Sequence, residues 1–170
     1  MTTLKQLNEY AKECLECALT DSRSINQHLN ECGTCGEYHQ KVEIFNLNLE
    51  EIRKISGKSE DEIHRDLHER FSRIANMEEE KRGEEITGIL DATVILPEDD
   101  RVKIVKARTD VLTDFPKYER DPVIKTMNKV TMDWDKERKR IERNALNKAT
   151  EDYPVLKKMM VRDMFKKMLD

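Results

Sequence analysis

Little in this sequence can punctuate a fold. Its 170 residues include only 5 Gly, 4 Pro and 5% aromatic side chains, too few turn formers and β-favouring side chains for an all-β protein. No apolar run approaches the roughly 20 residues that a bilayer span requires. The opening MTTLKQLNEYAKE also lacks the apolar centre of a secretory signal, so the expected location is cytoplasmic. A phosphate-cradling glycine loop, a GxSxG elbow and an HExxH pair are missing too. The expectation is a protein that is not an enzyme.

What is present is charge, 39% of residues against 37% hydrophobic. That balance supports amphipathic helices but not helices buried on every side. The net charge of −4 is unevenly spread: residues 121–170 hold 13 Lys and Arg against 9 Asp and Glu, residues 1–120 hold 18 against 26. An acidic first part and a basic last part can complement each other within the fold, or offer the last third to an acidic partner.

Apolar residues recur at helical spacing almost throughout. Leu4, Leu7, Ala11, Cys14 and Leu15 trace one face, and Ile25, His28, Leu29 and Cys32 a second, short helix that Gly33 and Gly36 are expected to break. Val42, Phe45, Leu49 and Ile52 mark a third. Ser59 and Glu62 form a capping box ahead of Ile63, Leu67, Phe71 and Ile74. Between Met77 and Glu85 no residue is apolar, which suggests a solvated helix or a linker. Ile86 to Leu96 reads as helix, with strand as the alternative because of Thr87, Thr93, Val94 and Ile95. Pro97, Pro122 and Pro154 each sit where a helix is expected to begin. The fold class is all-α: a small cysteine-rich, zinc-binding helical module over residues 1–45, connecting helices over 46–82, and a C-terminal helical domain over 83–170, the whole multi-helix part elongated.

The chemistry concentrates near the amino terminus. All four cysteines and two of the four histidines lie between Cys14 and His39. Thiols stay reduced in the cytosol, so paired CxxC motifs there point to metal or redox chemistry rather than a disulfide staple. Cys14, Cys17, Cys32 and Cys35 make CxxC, fourteen residues, CxxC, a spacing that supplies zinc with two pairs of thiolates. A second ligand set uses His28, which stands four residues before Cys32 and so shares its helical face. Spacing does not choose between the two sets. It does not choose the metal either: an iron–sulfur cluster is the alternative to zinc, and a reversible Cys32–Cys35 disulfide is the redox alternative.

The segment INQHLNECGTCGEYHQKV resembles the zinc-finger motif of anti-sigma factors, in which HxxxCxxC lies in a short helix with a cysteine upstream. The match rests on His28, Leu29, Cys32 and Cys35, over about residues 14–42. The upstream cysteine is closer than that family usually has it and is doubled, and the rest of the chain has nothing matching a sigma-binding domain. What the resemblance implies is a metal and a helical zinc module.

Three further features have a functional and a plain structural reading. His64 and His68 have metal-compatible spacing, although a solvated or salt-bridged pair is the expectation, since residues 59–100 carry 14 Asp and Glu against 5 Lys and Arg. Lys136, Lys139, Arg140 and Arg143 occupy one side of a helix and are suited to phosphates, or to a solvated face paired with Glu137, Glu142 and the acidic first two thirds. The Met-rich last helix, from Val155 to Leu169, is either core or a docking face, with core expected. The favoured function is a zinc-binding regulatory or adaptor protein with a protein partner, acting through macromolecular interaction, conceivably in transcription. Nucleic acid would bind through residues 136–143. The alternative function is a thiol redox or metal sensor.

Overall fold

The structure, a computed structural model, describes His28 and residues 31–166. The helices expected around Leu4–Ala18 and Ile25, together with Cys14, Cys17, Met168 and Leu169, lie outside the described residues. Within them the fold is all-α, without strands. The helices are α1 (Gly33–Ser56), α2 (Glu60–Ala75), α3 (Glu79–Ile95), α4 (Glu98–Asp114), α5 (Lys117–Met132), α6 (Lys136–Ala149) and α7 (Val155–Met164). The chain divides into two compact units, Met1–Asn48 and Leu49–Asp170.

In the larger unit the helix starts follow local chemistry. The backbone N–H of Ser59 donates to Glu62 Oε2 at 3.1 Å, the reciprocal half of a capping box. Pro97 and Pro154 precede the first residues of α4 and α7, and Glu98, Asp99 and Asp100 face the positive end of the α4 dipole. Asp135 caps α6 by accepting the N–H of Arg138 at 2.8 Å. Two expected breaks fall elsewhere. Pro122 lies inside α5, whose start is set by Pro116, so the carbonyl of Tyr118 forgoes its usual donor while the helix continues. Gly33 begins α1 and Gly36 lies in its first turn, so the interruption comes at Cys32.

The segment that alternates between helix and strand on sequence is helix, α3. Its β-branched threonines satisfy themselves within it: Thr87 donates to the carbonyl of Gly83 and Thr93 to that of Ile89, both at 2.7 Å. The apolar-free stretch before it forms the opening turns of the same helix, with Gly83 buried.

α2 packs along α4 and α5, α3 along α5, and α4 along α6. Their shared core includes Leu67 and Phe71 of α2, Ile89 of α3, Ile104 and Leu112 of α4, Met127 of α5 and Leu146 of α6, all 3% exposed or less. Burying a side chain of that size contributes about 1.5–3 kcal/mol. Charge is buried in the same core. Arg108 of α4, fully buried, pairs with Glu142 of α6. Arg138 of α6 pairs with Asp91 of α3 and lies 4.4 Å over the Trp134 ring. Arg70 bridges Glu51 at 3.0 Å and Glu85 at 3.3 Å. Desolvation raises the Asp91 carboxyl above its ordinary range, outweighing the attraction of Arg138.

α7 meets the core with one side only, through Val161 and Met164 and the capping Phe165, and Lys157 reaches Asp110 of α4 at 2.6 Å. Its other apolar side is solvent-facing: Val155 is 73%, Leu156 81% and Met159 62% exposed. The expectation of a core stripe therefore fails for these residues. Apolar side chains cover more of this helix than its neighbours can.

Candidate metal centre

HxxxCxxC is gathered by backbone spacing. The N–H of Cys32 donates to the carbonyl of His28 and that of Gly36 to Cys32, each at 2.8 Å, so His28 and Cys32 stand one turn apart on one face. Cys35 follows in the first turn of α1. One ligating atom from each of His28, Cys32 and Cys35 lies within 4.8 Å of the other two. Tetrahedral bonds of about 2.0–2.3 Å to zinc would draw such atoms roughly 3.5 Å apart, a small closure from this arrangement. His28 and Cys35 are buried at 5% and 2% exposure, and Cys32 is half-buried.

The donor set suits a metal ion. Two thiolates and an imidazole are the ligand types that zinc takes in closed tetrahedral sites, and of the two sulfurs only that of Cys35 is buried. A closed site needs a fourth ligand. Cys14 and Cys17, the other members of the expected set, lie outside the described residues. His39 is exposed on α1 and does not join the group.

Among the described residues no other three His, Cys, Asp or Glu side chains come together in this way. The His64 and His68 rings are 6.4 Å apart; His64 Nε2 stands 3.9 Å from Asp114, and His68 meets Phe115 edge-on at 5.0 Å. His64 thus faces a carboxylate and His68 packs on an aromatic ring, and neither is part of a three-residue ligand group among the described residues.

The stripe on α6 is divided by its surroundings. Lys136, Arg140 and Arg143 are exposed and Lys139 is half-buried. Arg140 forms a two-pronged pair with Glu137 at 2.8 and 2.6 Å, which holds the Glu137 carboxyl below and the Arg140 guanidinium above their ordinary ranges. Glu142, expected on the solvated face, is instead the buried partner of Arg108. Its position could have been read from spacing, because Arg138 and Glu142 fall on the same α6 face as Ala145, Leu146 and Ala149.

No helix among the described residues is long and apolar enough to cross a membrane. No known family, curated protein or solved structure matches this chain.

Proposed function

We propose that the protein is a zinc-binding, non-enzymatic regulator or adaptor of the cytoplasm, acting through contacts with another macromolecule. The observation that carries this reading is the convergence of His28, Cys32 and Cys35. Cys14 or Cys17 completes the tetrahedron in this proposal. Four protein ligands leave zinc no open position for substrate, so the ion serves structure rather than catalysis. The likeness of HxxxCxxC to the anti-sigma motif supports the metal and the helical zinc module; the transcription machinery enters this proposal only as a conceivable partner.

The test is elemental analysis of the purified chain with an absorbance scan. One equivalent of zinc in a colourless protein is the expected result, and single Cys14→Ser and Cys17→Ser variants then identify the fourth ligand. A coloured protein containing iron and sulfide replaces zinc with a cluster, and a metal-free protein ends the reading.

A redox sensor is the second reading, supported by the half-buried Cys32, which an oxidant can reach. In that case peroxide takes two electrons from the Cys32 and Cys35 thiolates, is reduced to water, and leaves a disulfide that no longer holds the ion. Zinc release by peroxide, reversed by a thiol reductant, favours the sensor; zinc that stays bound favours the structural ion.

A further inference from the structure

A groove of about 660 Å3 separates the C-terminal half of α6 from α7. Its floor is apolar, with Leu146 and Val161 at 3% and 2% exposure. Its walls are cationic: Arg143 and Lys148 stand on one side, Lys158, Arg162 and Lys166 on the other, against a single acid, Glu151. Two of these cations are engaged, Lys148 with Glu98 and Lys158 with the backbone carbonyl of Glu151. Arg143, Arg162 and Lys166 have no carboxylate within ion-pair distance among the described residues. Elsewhere in the same unit Lys58, Lys106 and Lys129 pair with Asp66, Glu60 and Glu79, while exposed Lys54, Lys81, Lys117 and Lys125 have no carboxylate partner among the described residues. What sets the groove apart is the gathering of its cations around one concavity.

Like charges around one concavity repel each other and raise the local potential, and an anion relieves both effects. The two guanidinium groups narrow the choice, since their planar forks match the oxygens of a phosphate. No aromatic side chain lines the groove, so it has no platform on which to stack a nucleobase. We infer that this groove binds a ligand presenting adjacent phosphate groups, with Arg143, Arg162 and Lys166 as the contacting residues. The site recognises the phosphates alone. It shares Arg143 with the stripe on α6 but not Lys136, Lys139 or Arg140. It does not depend on the metal centre, so zinc content and phosphate binding can fail separately.

The experiment is isothermal titration of the full, zinc-containing chain with inorganic tripolyphosphate at low salt. Binding is expected, weakening as salt rises. The Arg143→Glu/Arg162→Glu double variant should lose at least about tenfold in affinity, while Lys103→Glu, outside the groove, stays within about twofold. The Arg143→Gln/Arg162→Gln variant, which adds no negative charge, guards against misfolding and should weaken binding in the same direction with unchanged helicity. Short duplex DNA provides a second arm. Binding lost in the same double variants assigns the phosphates to a nucleic-acid backbone, and binding of tripolyphosphate alone assigns them to a small phosphorylated ligand. Absence of tripolyphosphate binding, equal weakening in Lys103→Glu, or equal affinity for poly-glutamate would each overturn the proposal.

Discussion

The two units are held together by different means. In the described part of the first, residues 28 and 31–48, only His28 and Cys35 are buried, while Ile44 and Leu47 are 60% and 62% exposed. In the second, α2 to α7 and the end of α1, through Ile52 and Ile55, enclose a continuous apolar core. Among the described residues of the first unit, the buried positions are thus the candidate ligands themselves. A segment too small to bury enough apolar surface commonly relies on a metal for its stability, whereas the larger unit has a core of its own and can even accommodate charge within it.

Removing the metal should sharpen that contrast most. Structural zinc contributes on the order of 10 kcal/mol in small zinc modules, so a chelator should abolish hydrogen-exchange protection over residues 31–48 while the amides of α4 remain protected. Equal loss in both units would break the comparison. Phe71→Ala tests the other side: it should destabilise the larger unit by about 3–5 kcal/mol in urea unfolding and leave zinc content unchanged. Glu142→Leu strands the Arg108 guanidinium and should cost about 3 kcal/mol, whereas the Arg108→Met/Glu142→Leu double variant should recover most of it, because the intact pair offsets its own desolvation rather than adding much stability. If the double variant were as unstable as the single, the pair would be a net source of stability.

The smallest effect concerns acid. Hydrogen bonds from Ser59 hold the exposed Glu62 carboxyl below its ordinary value of 4.5. A lowered folded-state value gives a contribution that is present above 4.5 and lost as pH falls through the folded value. The stability difference between the wild type and Glu62→Gln should therefore be constant near neutrality and shrink on acidification, measured by urea titration across that range. A difference that grows below pH 4.5 would reverse the assigned sign.

Much of the architecture was legible because its causes are local. The capping box at Ser59, the prolines before α4 and α7, and the three-and-four spacing of apolar residues each act within one or two turns. Pro122 misled because a proline in the sixth position of a helix resembles one at its start. The buried pairs escaped for another reason: Arg108 and Glu142 are 34 residues apart, Asp91 and Arg138 47, and sequence supplies no measure of such distances. The outer side of α7 failed similarly, since an apolar helix face does not announce whether a neighbour exists to cover it. Within the metal centre, His28, Cys32 and Cys35 were readable from spacing alone. Two ligand sets were drawn from that spacing, and the convergence of His28 with Cys32 and Cys35 belongs to the one with the imidazole, whereas Cys14 and Cys17 lie outside the described residues.

Arg138 resting over Trp134 has a practical corollary. That indole is the chain's single tryptophan, 6% exposed and covered by a guanidinium that is itself tied to α3. Its emission should shift to the red only when α6 parts from its neighbours. Fluorescence excited at the indole band thus provides a built-in optical reporter for the helical core.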